Sequence, residues 1–174
     1  MRHAAPPYLG EGAHALWHVS EDDSIRRFEP RGGDVWAIDT RHWPLYWFPR
    51  ECPRATFWAD ASTSDEDVER FLGGLRRLRA HVVEPEWLPR LHTTRVVSYR
   101  MPEATFAQDE DRFWISSEAV EPLEVVELGD LVARHEAAGI ELRTESRLLA
   151  FWETVVRSTV GFSGIRLRNA RMSA

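Results

Sequence analysis

The stretch DVWAIDTRHWPLYWFPRECPRATFWAD, residues 34–60, decides the fold class. Its first six residues, DVWAID (34–39), are apolar on both faces, as a central strand would be. Its last six, ATFWAD (55–60), combine aromatic and β-favouring residues and read as a second strand. Between them the spacing predicts a short helix over 41–48, with Pro44 in the first turn and Tyr46 in the last. Pro49 and Pro53 then forbid a continued helix or a central strand. Arg50 and Arg54 therefore sit on a stiff connection, which presents a guanidinium to phosphate or carboxylate at low entropy cost. Structural ion pairs with Glu51 or Asp39 are the competing use of the same side chains.

Working outward, LWHVS (16–20) alternates, with Trp17 and Val19 on one side and Leu16, His18 and Ser20 on the other. RVVSYRM (95–101), RFWISS (112–117) and LEVVEL (123–128) read as further strands. A helix is expected from Ser64, whose spacing to Asp67 resembles a capping box, with a stripe of Val68, Phe71, Leu72, Leu75 and Leu78. A second is expected after Asp130 and a third from about Glu145, stopped by Gly161. Residues 1–14 are expected to form a loose arm and 15–174 one globular domain. The order predicts an α+β fold, a mostly antiparallel sheet with about three helices packed on it.

A chain of 174 residues with eight Trp and eight Phe can build its core without staples. Its one cysteine, Cys52, cannot form an internal disulfide, although the neighbouring arginines would favour a thiolate. The N-terminus has no signal-like apolar region and no apolar run reaches the ~20 residues of a membrane helix, so a cytoplasmic protein with no membrane partner is expected. The net charge of −6 argues against coating nucleic acid. All 22 basic residues are arginine, which excludes a lysine Schiff base and a Walker-type lysine. Any anion site must then use arginine, histidine or backbone N–H groups.

His18 and Ser20 share a strand face and could meet a ribose or phosphate; a buried histidine bonded to a carbonyl fits the same pattern. At the C-terminus, FSGIRLRNARMSA read as a strand puts Arg166, Arg168 and Asn169 in position to finish an anion pocket. Glu141 and Arg143, two apart on an extended segment, share a face and could form a salt bridge. His14, His18, His42 and Asp39 match no standard ligand spacing, so no metal is expected. No GxGxxG, P-loop or GxSxG occurs.

Together LWHVSEDDSIRRFEPR, VWAID, FPRECPR, STVGFS and IRLRNA resemble a family of short bacterial proteins with no assigned activity, over nearly the whole chain from residue 15. The order of LWHVS, VWAID, the Tyr46 segment and RFWISSEAVEPLEVVEL is also similar to the ADP-ribosyltransferase-like superfamily, including RNA 2′-phosphotransferases. That resemblance implies a strongly curved split barrel and NAD as the candidate cofactor. It implies that His18 and Ser20 hold the nicotinamide ribose, that Tyr46 stacks on nicotinamide, and that Arg31, Arg50 and Arg54 face pyrophosphate. Where many such transferases begin a late strand with Glu, this chain has Asp111 and Arg112, leaving Asp111 or Glu141 as the carboxylate.

Three functions follow. The first is a nucleotide- or NAD-binding domain with ADP-ribosyl or phosphotransferase chemistry, taking nucleic acid only as a terminal phosphate. The second is a non-catalytic module for an anionic small molecule or peptide carboxylate. The third is an interaction domain, an oligomer among its forms, anchored by Trp43, Trp47 and Trp58.

Overall fold

The computed structural model describes residues 2–4, 15–30, 32–110 and 113–171. In chain order the strands and helices are β1 (Arg2–Ala4), β2 (Leu16–Ser20), β3 (Val35–Asp39), β4 (Arg54–Trp58), α1 (Asp65–Leu72), β5 (Arg79–Val83), α2 (Leu88–Thr93), β6 (Val97–Met101) and β7 (Ala107–Glu110). They continue with β8 (Phe113–Ser116), β9 (Glu124–Glu127), α3 (Leu131–Ala137), β10 (Ile140–Thr144), α4 (Leu148–Val156) and β11 (Gly161–Ile165). Short 3₁₀ turns occupy Trp43–Tyr46, Pro85–Trp87 and Leu167–Asn169. None of the helices is long and apolar enough to cross a membrane among the described residues.

The fold is α+β, and the chain divides into two compact units, Met1–Arg50 with Thr94–Gly129 and Glu51–Thr93 with Asp130–Ala174. The expected split barrel gives way to two open sheets, and the expected three helices to four among the described residues. Pro49 and Pro53 lie in the connection between β3 and β4, where neither a helix nor a strand runs through them, and β4 pairs in the second sheet.

In the first unit the order is β1-β9-β6-β2-β3-β8-β7, antiparallel except where β1 runs parallel to β9. Arg2–Ala4 of the expected N-terminal arm is thus a strand, while 5–14 lie outside the described residues. One sheet face buries Leu16, Val35, Ala37, Val97, Tyr99 and Met101 beneath Phe28, Phe106 and Val120. On the other, the Trp43–Tyr46 turn brings Trp43 flat against Trp17, with ring centroids 4.2 Å apart and planes at 6°. Both indoles are anchored: Trp17 Nε1 donates to Thr40 Oγ1 at 3.0 Å and Trp43 Nε1 to Ser98 Oγ at 2.9 Å. Trp43 and Trp47, expected as exposed anchors, are core residues at 1 and 0% exposure. The expected 41–48 helix shrinks to that one 3₁₀ turn, in which Pro44 still sits at the start.

In the second unit the order is β10-β5-β4-β11, with β10 parallel to β5 and the other pairs antiparallel. Ala55, Phe57, Ala80 and Val82 pack under α1 and α4 with Val68, Phe71, Leu148 and Val155. Alternation sends Thr56 and His81 to the opposite face, where His135 of α3 meets His81. Ser64 caps α1 as expected, its Oγ accepting the Asp67 N–H, and Asp130 caps α3 through Val132 and Ala133.

Helix α1 does not run on through Leu78. Gly73 and Gly74 both have positive φ, 56° and 78°, and their N–H groups close the helix onto Glu69 and Val68. The Gly73 N–H bond to the Glu69 carbonyl is that of an αL stop, and RAHVV (79–83), past it, forms β5.

Candidate functional site

The β2–β3 ladder pairs only Leu16 with Asp39 and Trp17 with Ile38. Beyond that point the strands part, and His18 takes over: its Nδ1 bonds the Trp36 carbonyl at 3.0 Å. A carbonyl only accepts, so Nδ1 carries the hydrogen and Nε2 of the neutral ring keeps a lone pair. The imidazole lies 4.7 Å from both the Phe28 and Trp36 rings. Trp36 in turn lies 5.3 Å from Tyr46, which the 3₁₀ turn delivers. Burial holds the His18 pKa below its ordinary 6.5; the bond to Trp36 opposes this and the charge of Arg50 adds to it. His18, Trp36 and Tyr46 are each half-buried, so this aromatic cluster keeps surface exposed beside the exposed Arg50. Arg50 is held by its backbone N–H, which donates to Glu21 Oε1 at 2.7 Å. Ser20 closes a turn, its Oγ accepting the Asp22 N–H at 3.1 Å.

His18, Ser20, Tyr46 and Arg50 thus belong to the first unit, His18 joining Tyr46 through Trp36. Arg54, Glu141, Arg166, Arg168 and Asn169 belong to the second. Arg31, Asp111, Arg112 and His14 lie outside the described residues.

Within the second unit the sequence-predicted residues disperse. Glu141 stands on β10 and pairs with Arg143 at 2.6 Å, which holds its carboxyl below the usual range. Arg166 follows β11 at the opposite sheet edge, three strand spacings or about 14 Å from β10. The expected strand through Arg166 and Arg168 ends at Ile165: Arg166 is left-handed, φ 55°, and residues 167–169 form a 3₁₀ turn. The two arginines therefore do not share a strand face. Arg166 faces Glu51 at 3.6 Å, and Asn169 Nδ2 donates to the Glu51 carbonyl and to Oε2 at 2.8 and 2.9 Å. Arg168 is exposed.

Arg54 is 3% exposed and donates through Nη1 to the Cys52 carbonyl at 2.9 Å. Cys52 departs from the thiolate expectation: burial pushes its thiol up to about 12, and Glu84 adds to that shift, outweighing Arg54 and Arg90. We expect Cys52 to resist a water-soluble disulfide reagent in the native protein and to react within minutes once denaturant unfolds it, as followed by absorbance. Rapid stoichiometric reaction without denaturant would contradict the burial.

The sequence reading gave Arg79, His81 and His135 no role in a site. His135 Nδ1–H donates to the Leu131 carbonyl at 2.6 Å, so its Nε2 accepts from His81 Nδ1 at 2.9 Å. Both rings are fully buried. Burial lowers His81 well below 6.5, with His135, Arg79 and Arg54 adding to the effect. Burial likewise takes His135 to about 4, assisted by Arg134 and Arg54 against the Leu131 bond. The available signal was the alternation of RAHVV, just past the expected helical stripe that ends at Leu78, and it was given no element.

No curated protein and no solved structure matches the chain. A family model does, over residues 17–170, and the chain belongs to that family, described as a family of unknown function (DUF6886).

Proposed function

We infer that the first unit binds a nucleotide-type ligand, with NAD as the candidate cofactor. The observation that carries this reading is the run of rings His18–Trp36–Tyr46 with Arg50 beside it. A planar base stacks on the Trp36–Tyr46 pair, each such stack being worth about 1–3 kcal/mol. The lone pair on His18 Nε2 accepts from a ribose hydroxyl, and Arg50 meets a phosphate. ADP-ribosyl or phosphoryl transfer extends this reading along the superfamily resemblance. Binding without turnover is the second reading, favoured because Glu141, one of the two carboxylates named for the chemistry, is already engaged by Arg143.

Calorimetric titration of NAD, ADP-ribose and AMP tests it. Binding is expected, and Tyr46→Ala or Trp36→Ala should weaken it by roughly 5- to 150-fold. His18→Ala should cost affinity for ribosylated ligands. Absence of heat above dilution at millimolar concentrations of all three ligands would refute the site. Nicotinamide release from NAD separates catalysis from binding alone.

A further inference from the structure

Among the described residues the second sheet ends on two edge strands, β10 and β11. Strand β10 carries Glu141 and Arg143, charges of the kind that keep an exposed edge from pairing with another chain. Strand β11, GFSGI (161–165), carries no charge and no proline. Its register with β4 fixes its inner side. Ser163 stands opposite Thr56, and Thr56 Oγ1 donates to the Ser163 carbonyl at 2.9 Å. The Ser163 carbonyl therefore faces β4, and alternation turns the backbone groups of Phe162 and Gly164 towards the outer edge. Both of those residues are exposed.

Phe162 and Gly164, two apart, also share a sheet face. The Phe162 ring meets Trp152 of α4 edge-on, with centroids 5.3 Å apart. At Gly164 the missing side chain lets Trp152 and Leu167 come down onto the strand, where a Cβ would lie 2.7 Å from each. The rim of this face is thus a ring at 162 and, two residues on, a glycine backed by an apolar wall. That order complements itself. In an antiparallel pair of two such strands centred on Ser163, Phe162 of each copy stands opposite Gly164 of the other. Each such pair exchanges both of its N–H···O bonds. The ring of one copy then lies against Trp152 and Leu167 of the other, an aromatic side chain covering an edge glycine.

We propose that β11 pairs antiparallel with β11 of a second copy of this chain, joining two four-stranded sheets into one. This surface lies outside the nucleotide reading and uses none of its residues. A five-residue strand with the Phe162 ring makes a contact smaller than the ~1,200 Å² at which standard interfaces begin. The dimer is therefore a reversible one, with a dissociation constant on the order of 10–100 µM.

Sedimentation equilibrium of the full chain from about 5 to 500 µM tests it, with amide hydrogen exchange measured at both ends of that range. The mass should rise from monomer towards dimer. Exchange across 161–165 should slow about fivefold while exchange across 140–144, on the other edge, stays unchanged. Phe162→Lys should weaken association at least about tenfold by placing two like charges at the seam. Leu75→Lys, at an exposed leucine in the loop after α1, should leave association unchanged. A monomer at every concentration overturns the proposal and leaves this edge to a strand of another protein. A dimer that protects 140–144 instead of 161–165 overturns it as well. So does a folded Phe162→Lys variant that associates as strongly as wild type, or an equal weakening by Leu75→Lys. If the Phe162→Lys variant does not fold, the wild-type mass and exchange pattern decide.

Discussion

Replacing Trp43 with alanine should lower the unfolding free energy of the first unit by about 3–5 kcal/mol. The indole is 1% exposed and stacked at 4.2 Å on Trp17, and its edge meets Trp47 at 5.3 Å. Truncation leaves a cavity that two further indoles and the sheet cannot collapse into without breaking their own packing. It also strips the buried Ser98 hydroxyl of its donor, adding about 1 kcal/mol. The half-buried Trp58 provides a comparison in the second unit, where the same truncation should cost less. Urea unfolding followed by circular dichroism and by tryptophan fluorescence gives both numbers, the two probes reporting whether the units unfold together. A Trp43→Ala loss below about 1 kcal/mol would mean that the triple-tryptophan stack is not a core.

The second large effect is a loss of stability between pH 6.5 and 4. In the unfolded chain the His135 ring takes up a proton below about 6.5, whereas in the folded chain burial keeps it neutral down to about 4. Between those values the unfolded state binds more protons, so stability is complete above 6.5 and falls as pH drops. Near pH 4 the loss from this ring alone is on the order of 3 kcal/mol. His81 and His18 are lowered in the same direction and steepen the fall. The carboxylates of Asp39 and Glu141, also lowered, add their loss only as pH approaches and passes their unfolded values near 4. Urea midpoints at pH 7.5, 5.5 and 4.5 measure the slope. His135→Gln, which keeps an amide donor for Leu131 but cannot charge, should flatten it. Equal midpoints across that range for the wild-type protein would show that the buried pair does not titrate differently on folding.

Much of the fold was legible in the chain because its determinants are short-range. LWHVS and VWAID became β2 and β3 because alternation and β-branched or aromatic content act through each residue's own backbone preference and nearest neighbours. The Ser64 and Asp130 caps were legible because a cap needs only residues two or three positions away. Strand β5 was missed where two short-range signals competed: the apolar stripe through Leu78 argued for helix, and the paired glycines argued for a stop, which prevailed.

The candidate sites were legible as residue types and illegible as groupings. His18 and Tyr46 were named from the chain, but Trp36, the ring that connects them, enters only because β2 and β3 part after two pairs. Arg166 and Arg168 looked like one face until Arg166 adopted a left-handed conformation that no alternation pattern encodes. Cys52 looked like a thiolate beside arginines, and burial reversed that reading. The sequence by itself determined the α+β class, most strand positions and two helix caps, since these depend on a handful of adjacent residues. The tertiary structure alone decided that β4 leaves the first sheet, that His81 meets His135 across 54 positions, and which charges are buried. Those outcomes rest on desolvation and on hydrogen bonds between distant strands, energies that come into being only when remote segments are brought into contact.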